Sequence, residues 1–271
     1  MPYRFEPGRI YRMLTHFGPA PGPRQMPAEA CADPTRSPHK TLISASFLTE
    51  GSALERHIPE RFTLAGEPVV TIEFHYMTDI DWLAGRGYTM IHVWWPVTFN
   101  GARDQIVGRF LAVMWENLAD PIITGRGEIG QPKLFADIPE PRLIDGAYHC
   151  EASWMGFKFL EVRVVDSRQP DPAPVPQLQG TLMLKYVPRT GVWGEADICQ
   201  VSFTPATPNV TVESCKTADG SVKFHRAAWR DLPTMYHVVN ALADLPVLSA
   251  RAGSIATTRG GKSSLDQRIL E

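Results

Sequence analysis

The sequence has few cysteines, no long apolar run and no excess of positive charge. Its four cysteines lie far apart and form no Cys-x-x-Cys pair, so we expect neither structural disulfides nor a zinc site. No apolar run approaches the roughly 18 residues of a membrane span, and the residues from Met1 to Pro7 lack the apolar core of a signal peptide. The 27 basic and 29 acidic residues give a net charge of −2, which offers no basic excess for nucleic acid. These absences predict a cytoplasmic protein without a membrane or nucleic-acid partner.

Proline and glycine are abundant, with 24 and 21 residues, and they favour short strands and loops over long helices. Many runs have the composition or alternation of strands; they are 69–77, 88–99, 105–115, 149–165, 180–187, 198–203 and 210–215, the last paired with 222–225 across a turn at 218–221. One helix is predicted from Thr234 to about Leu245, before Pro246. We therefore predict an α+β, mostly β fold: a single antiparallel barrel-like domain over residues 41–250, with a few short helices.

The two ends of the chain differ from this middle part. Residues 1–40 are rich in proline, glycine and arginine, which predicts an extended N-terminal arm lying on the fold or on a neighbouring subunit of a homo-oligomer. Residues 251–271 are predicted to form a C-terminal tail, because residues 257–264 are small, polar and basic.

Two glycine-containing motifs look like nucleotide-binding sites and fail on their context. Gly125-x-Gly127-x-x-Gly130 matches the dinucleotide fingerprint, but that motif must open a helix, and Pro132 follows at once with no strand–helix–strand unit around it. Residues 261–263 read Gly-Lys-Ser, yet the first glycine of a phosphate-binding loop would fall at Ala256. We therefore predict no nucleotide cofactor and no metal.

Lys133 is the most informative residue of the chain. It follows Pro132 and precedes Leu134, Phe135 and Ala136, so its side chain is expected in a partly dry setting. Desolvation disfavours the ammonium form, which makes such a lysine a candidate amine nucleophile. Lowering a lysine pKa from about 10.4 to about 7 requires roughly 4–5 kcal/mol of differential destabilisation. The alternative is an ordinary surface lysine beside a turn.

The spacing around this lysine carries a family resemblance. Gly125-Arg126, five residues and Pro132-Lys133 resemble the active-site stretch of the acetoacetate decarboxylase superfamily, whose lysine forms a Schiff base with a keto acid. Three further segments are similar to that family in order and spacing: 67–73, 88–90 and 95–101. The resemblance implies that Lys133 is the nucleophile and that Glu73 is its acid–base partner.

Two departures from the family pattern change what the resemblance implies. The decarboxylase has a second lysine directly after the nucleophile, where this chain has Leu134, and a catalytic glutamate where it has Met90. Without the second cation, burial is the main route to a neutral Lys133, and Leu134 is expected to supply some of it. Some superfamily members resemble this pattern: they keep the lysine, lack decarboxylase activity and act as aldolase-dehydratases on pyruvate and aldehydes.

Two predicted strands offer side chains to a site. Because side chains alternate along a strand, Glu73 shares a face with Thr71 and His75. An inward Glu73 is a good acid–base group, and an outward one is simply solvated. Another strand has three residues on one face, which form either a substrate-binding pocket wall or ordinary core packing: Met90, His92 and Trp94.

The remaining candidates come from the arm, the lysine loop and the predicted helix. The resemblance places a substrate-carboxylate arginine on the arm, where the candidates are Arg24, Arg36 and Lys40. Arg126 and Glu128 flank Lys133 and form either a supporting ion pair or a surface pair that contributes little. Tyr236 is either a proton donor or an ordinary helix residue.

Together these features predict a Schiff-base lyase that acts on a 2-oxo or 3-oxo carboxylic acid through Lys133. We expect aldol or dehydration chemistry, with an aldehyde as a candidate co-substrate, and not efficient acetoacetate decarboxylation. The alternatives are a true β-keto acid decarboxylase, in which another carboxylate replaces the one missing at Met90, and a non-catalytic protein that binds a small carboxylate.

Overall fold

One large sheet contains most of the chain. The structure is a computed structural model and describes residues 30, 33–166, 178–206, 209–261 and 266–271. The strands are β1 (His39–Leu48), β2 (Phe62–Leu64), β3 (Val69–Ile80), β4 (Arg86–Asn100), β5 (Gln105–Glu116), β6 (Lys133–Phe135), β7 (Arg142–Ile144), β8 (Ala147–Trp154), β9 (Phe157–Asp166), β10 (Gly180–Pro188), β11 (Ala196–Pro205), β12 (Thr211–Phe224), β13 (Ser249–Arg259) and β14 (Arg268–Leu270). The helices are α1 (Gly51–Glu55), α2 (Ala119–Thr124) and α3 (Tyr236–Ala243), with a 3₁₀ turn at Asp81–Leu83 and a π-helical turn at Gly125–Ile129. The predicted α+β, mostly β class with a few short helices is confirmed.

The sheet is mixed, and pairing among the described strands does not close it. Its order is β14-β11-β10-β5-β4-β3-β1-β13-β12-β9-β8-β7, with β2 paired to β4 and β6 paired to β5. Most pairs are antiparallel, as the sequence predicts, but β5 pairs in parallel with both β10 and β6. Parallel neighbours need a crossover connection, and α2 with the π-helical turn supplies the one between β5 and β6.

Alternation along the central strands gives the sheet two different faces. One face carries the main hydrophobic core, which includes Ile72, Ile91 and Trp115 and is covered in part by α3. Trp115 Nε1 donates a hydrogen bond to Met235 Sδ at 3.4 Å, directly before that helix. The opposite face carries a small apolar cluster and most of the buried polar side chains of the central strands. The cluster, here called the apolar floor, consists of Trp94, Leu111, Met114, Ile129 and Met183.

Strand β13 includes the boundary at residue 250, after which the sequence analysis predicts a C-terminal tail. It pairs with β1 on one edge and with β12 on the other, so residues 251–259 are part of the sheet. Gly253 shows how closely it packs, because a Cβ there would lie 2.0 Å from the backbone oxygen of Ser44. The strand is rich in serine, threonine and arginine, and Ile255 is its one large apolar side chain, so it lacks the apolar pattern that usually reveals a strand in sequence.

Two local predictions are corrected by the strand pairing. The expected turn at 218–221 is part of one long strand, β12, which pairs with β13 up to Ala218 and with β9 from that residue onward. The run 149–165 is a hairpin of β8 and β9, and its turn contains Met155 and Gly156 with φ of 46° and 88°. The predicted helix at 234–245 is confirmed as the shorter α3.

The predicted N-terminal arm is largely outside the described residues. Arg24 lies there, whereas Arg36 is exposed in a turn in which its N–H bonds to the Asp33 carbonyl. Lys40 belongs to β1 and is therefore in the sheet. No helix in the described ranges is long and apolar enough to cross a membrane.

Candidate active site

Lys133 and Glu73 lie on one face of the sheet, in a single row of cross-strand partners. Lys133 of β6 pairs with Met114 of β5, Met114 with His92 of β4, and His92 with Glu73 of β3. Side chains of directly paired residues project to the same face. The row continues to Ser44 of β1, so the site lies near the middle of the sheet and not at one of its ends.

The amine of Lys133 is enclosed by polar atoms from β5 and α2. Its Nζ lies 2.9 Å from Oε1 of Glu116 and donates a hydrogen bond of 2.9 Å to the carbonyl oxygen of Pro121. Gly125 leaves room for it, since a Cβ at that residue would come within 2.5 Å of Nζ. Lys133 is only 6% exposed. Burial lowers the pKa of its ammonium group, and the Glu116 carboxylate offsets this shift only in part.

Glu116 is a functional candidate that sequence reasoning missed. Its side chain is completely buried, and its Oε2 has no hydrogen-bond partner among the described residues. Burial raises the pKa of this carboxyl, and the Lys133 ammonium offsets the rise only in part. The opposite shifts bring the two pKa values closer together, which makes transfer of a proton from the Lys133 ammonium to the Glu116 carboxylate easier. The available signal was alternation: Glu116 continues the face of Met114 one residue beyond the strand predicted from sequence.

At the other end of the row, the carboxylate of Glu73 lies close to three basic side chains. Its Oε2 lies 3.3 Å from His75 Nε2, 3.9 Å from His92 Nδ1 and 3.6 Å from Arg109 Nη1. Burial alone would raise the pKa of Glu73, but the Arg109 guanidinium and the hydrogen bond with His75 outweigh it and hold the pKa well below its usual range. Burial also lowers the pKa of both histidines, so they are neutral near pH 7. Glu73 is therefore an ionised carboxylate beside two neutral imidazoles.

Arg109 of β5 is the second residue that sequence reasoning missed. Its guanidinium lies over the ring of Trp94, 4.6 Å from the ring centroid, and its side chain is 43% exposed. The resemblance directed attention to basic residues of the arm, and nothing in the strand pattern distinguishes this arginine from a surface one. Only the β4–β5 pairing brings it to Trp94 and Glu73.

The group Glu73, His75 and His92 is also the one in the described ranges that could hold a metal ion. Their potential ligand atoms all lie within 4.8 Å of one another, and two imidazoles with a carboxylate are a ligand set used by several transition metals. The Arg109 guanidinium contacts the same carboxylate oxygen, and its positive charge opposes a divalent cation there. The charge of the site therefore suits an anionic ligand better than a cation.

Several of the predicted site residues do share this face. Trp94 belongs to the apolar floor, and Met90 packs against it. Met90 is the cross-strand partner of Glu116, and its Sδ lies 3.3 Å from His92 Nε2. Lys40 lies on the same face of β1, where burial lowers its pKa and the charge of Glu73 opposes that shift.

The other predicted residues support the site or lie away from it. Arg126 Nη1 donates a hydrogen bond of 2.9 Å to the backbone oxygen of Lys133, which ties the π-helical turn to β6. The backbone oxygen of Glu128 accepts a hydrogen bond from Lys185 Nζ at 3.0 Å. Leu134 packs on the main core, on the face opposite Lys133, and so does not cover the amine. Tyr236 is 36% exposed at the start of α3, which also packs on the opposite face.

The arrangement can carry out acid–base chemistry at both ends of a small molecule. A buried amine beside a buried carboxyl can exchange a proton and add to a carbonyl carbon. The Glu73 carboxylate and the neutral imidazoles can accept or donate protons within the same face. Tyr88, whose pKa burial and the Glu116 charge both raise, remains a protonated hydroxyl near that carboxyl.

Comparison with known proteins finds one family over most of the chain. The family description "Acetoacetate decarboxylase (ADC)" matches residues 18–262. An acetoacetate decarboxylase of Clostridium botulinum (strain Eklund 17B / Type B) is 25% identical over 211 residues, which cover 74% of this chain and 80% of that protein. Among solved structures, an acetoacetate decarboxylase superposes with a TM-score of 0.64 at 20% identity over 87% of this chain and 90% of the other.

A second solved structure is that of the enduracididine biosynthesis enzyme MppR, in complex with the condensation product of pyruvate and imidazole 4-carboxaldehyde. It superposes with a TM-score of 0.62 at 17% identity, covering 90% of this chain and 92% of the other. At this identity the structural likeness speaks for the fold alone, whereas the family match spans most of the sequence. The chain therefore belongs to the acetoacetate decarboxylase family, a family of lyases.

Proposed function

We propose that this protein is a Schiff-base lyase that acts on a 2-oxo or 3-oxo carboxylic acid through Lys133. The observation that carries the proposal is the buried amine of Lys133, 2.9 Å from the Glu116 carboxylate and in one row with Glu73. Because burial lowers the pKa of Lys133, it raises the fraction of the neutral amine that attack on a carbonyl requires. Either an apolar pocket or a neighbouring cation can activate a lysine in this way, and here burial is the cause.

The proposed reaction begins with addition of Nζ to the carbonyl carbon of the substrate. The N–C bond forms, the carbonyl oxygen leaves as water after two proton transfers, and a protonated imine remains. Glu116 is placed to take the proton that the ammonium must lose and to return it to the departing oxygen. The imine then accepts the electron pair released by loss of a neighbouring proton or of carbon dioxide, which gives an enamine.

We infer that the enamine reacts with an aldehyde in aldol or dehydration chemistry. Met90 and Leu134 replace the glutamate and the second lysine of the decarboxylase pattern. MppR, which has the same fold, was solved in complex with a condensation product of pyruvate and an aldehyde. Glu73 and the two neutral imidazoles are placed to move the protons of such a condensation.

One observation favours decarboxylation as a second candidate. Glu116 is the direct cross-strand partner of Met90, so the neighbouring strand supplies a carboxylate beside the position where the decarboxylase pattern has one. A 3-oxo acid bound as an imine on Lys133 would then have a carboxyl group next to the carbon that receives a proton after carbon dioxide leaves.

Borohydride trapping tests the imine. Incubating the protein with pyruvate or acetoacetate and borohydride should leave a reduced adduct on Lys133, located by peptide mass spectrometry. Lys133→Ala should abolish this adduct, and Lys223→Ala, at an exposed lysine of β12, should keep it. Absence of any adduct with a panel of keto acids would contradict the proposal and favour a non-catalytic carboxylate-binding protein.

Product analysis separates the two reactions. The aldol proposal predicts condensation products from pyruvate with aldehydes and little carbon dioxide from acetoacetate. Release of carbon dioxide from acetoacetate at ordinary enzyme rates, lost in Glu116→Gln, would support the decarboxylase instead.

A further inference from the structure

One face of the hairpin formed by β10 and β11 contacts the π-helical turn that leads to Lys133. Met183 and Ser202 are direct cross-strand partners, and Lys185 lies two residues after Met183, so all three side chains project to the same face. Met183 belongs to the apolar floor together with Ile129 of the turn. The hairpin and the turn therefore share a buried apolar contact, to which Ser202 and Lys185 add polar ones.

The two polar side chains of this face donate hydrogen bonds to consecutive carbonyls of the turn. Ser202 Oγ donates to the backbone oxygen of Ile129 at 2.7 Å, and Lys185 Nζ donates to that of Glu128 at 3.0 Å. The last carbonyls of a helical turn have no partner within it, so they need one from elsewhere. Gly130 follows with φ of 79° and leaves room for the stem of Lys185, because a Cβ at the glycine would lie 2.4 Å from the lysine Cβ.

The strand order at the edge of β5 explains why the turn depends on this hairpin. β10 pairs with β5 through Thr181 and Leu182, and from Met183 onward it pairs with β11 alone in the described ranges. Since β4 occupies the other edge of β5, β10 and β6 follow one another along the same edge. The residues of β10 that have left β5 are thus the ones that contact the turn before it enters β6.

The same turn determines where the amine of Lys133 lies. Its first residue, Gly125, faces that amine, since a Cβ there would come within 2.5 Å of Nζ. The N–H of Gln131 bonds to the Gly125 carbonyl at 3.0 Å, and Arg126 donates a hydrogen bond to the backbone oxygen of Lys133. Displacement of residues 128–130 would therefore move both the wall beside the amine and the backbone that carries it.

We propose that Ser202 and Lys185 are positioning residues, which hold the π-helical turn so that the amine of Lys133 stays buried against Glu116. This inference deepens the proposed function and rests on it, because it concerns the attack by that amine. Both residues act through the backbone of the turn and take no part in bond formation. Loosening the turn should admit water to the amine, and since burial lowers the pKa of Lys133, that pKa should then rise.

The pH dependence of borohydride trapping with pyruvate tests the proposal. In Ser202→Ala and in Lys185→Met, the pH at which the trapping rate is half-maximal should rise by about 0.5–1 unit, the shift that loss of one hydrogen bond can cause. Ser202→Thr keeps the hydroxyl and should show the wild-type profile. A residue with a merely structural role would lower the thermal midpoint and the amount of folded protein without moving the profile.

Thr204→Val is the matched control in the same strand. Thr204 Oγ1 accepts a hydrogen bond of 2.7 Å from Gln267 Nε2, a contact that does not involve the turn. Its removal should lower the thermal midpoint and leave the profile unchanged. If Ser202→Ala does not fold, Lys185→Met carries the comparison. A wild-type profile in every folded variant of the two residues, or an equal shift in Thr204→Val, would overturn the proposal.

Labelling of the amine separates this inference from the proposed function. Acetylation of Lys133 by trace acetic anhydride, followed by peptide mass spectrometry as a function of pH, reports the pKa of the amine without any keto acid. If the wild-type protein traps no keto acid, the proposed function fails, and a higher pKa from labelling in Ser202→Ala would still support the positioning role. An unchanged pKa from labelling in both Ser202→Ala and Lys185→Met would overturn that role whether or not the wild-type protein traps a keto acid.

Discussion

Glu116 lies directly opposite Met90 in the pairing of β4 with β5, and its carboxylate is 2.9 Å from the amine of Lys133. The family pattern places a glutamate at the position of Met90, and here the neighbouring strand provides the carboxylate of that row. The nucleophile is therefore accompanied by a carboxyl group, but one that approaches from another strand.

Replacing Glu116 by glutamine should make Lys133 easier to deprotonate. The carboxylate raises the pKa of Lys133, so its removal lets burial lower that pKa further. The rate of borohydride trapping with pyruvate, measured as a function of pH, should therefore begin to rise at a lower pH in the variant than in the wild-type protein. Glu151→Gln, at a partly exposed glutamate of β8, is the matched control. A shift to higher pH would contradict the assigned pairing.

Gly125→Ala should impair trapping without harming the fold. Gly125 has ordinary helical dihedrals, with φ of −64°, so alanine is allowed by the backbone and should stabilise a helical position by up to about 1 kcal/mol. Its Cβ would nevertheless come within 2.5 Å of the Lys133 amine and displace it. Trapping rate and thermal midpoint are measured together. Gly127→Ala, where a Cβ meets nothing within 4 Å, should leave the rate unchanged.

The two buried histidines should make the protein less stable in mild acid. Their pKa values lie below the 6.5 of an unperturbed histidine, so between the folded and unfolded pKa the unfolded chain binds more protons. The free energy of unfolding must then fall as the pH drops below about 6.5. Urea unfolding at about pH 7.5 and pH 5.5 measures the loss. This loss of unfolding free energy should be smaller in the double variant with His75→Gln and His92→Gln. It should persist in His237→Gln, at an exposed residue of α3.

Gly253→Ala tests whether residues beyond 250 are integral to the sheet. A Cβ at this position would lie 2.0 Å from the backbone oxygen of Ser44, and neither strand can shift easily because β13 is paired on both edges. We expect a loss of about 2–3 kcal/mol in the free energy of unfolding, measured in urea, near the upper end for single substitutions. A loss below about 0.5 kcal/mol, the size expected at an unconstrained surface position, would mean that β13 is dispensable.

The sequence predicts which segments are strands, and which side chains share a face of a strand, better than it predicts which strands pair. Alternation within β3 correctly groups Glu73 with His75, since that relation depends only on residues two apart. The pairing of Glu73 with His92, and of Met114 with Lys133, depends on strand register between distant segments. Register is a property of the whole sheet, so local patterns do not determine it.

The two missed residues illustrate the same limit. Glu116 at the end of β5 and Arg109 within it are ordinary charged residues of an apolar strand, and only pairing with the neighbouring strands brings them into the site. Strand β13 was missed for a different reason. It gains its place through backbone hydrogen bonds on both edges, and its side chains carry little of the apolar pattern by which strands are recognised.

Lys133, the proposed nucleophile, and its proposed acid–base partners are anchored very differently. Glu73 and His92 lie in long strands that are paired along both edges, whereas Lys133 lies in a three-residue strand paired with β5 alone in the described part of the chain. The segment 117–132, with α2 and the π-helical turn, carries that short strand. The amine can therefore be withdrawn from Glu116 and returned to it by local rearrangement of this segment while the ladder of β1, β3, β4 and β5 stays intact. Sequence changes in 117–132 thus offer a way to alter the speed of the proposed imine formation without altering the strands that carry Glu73 and His92.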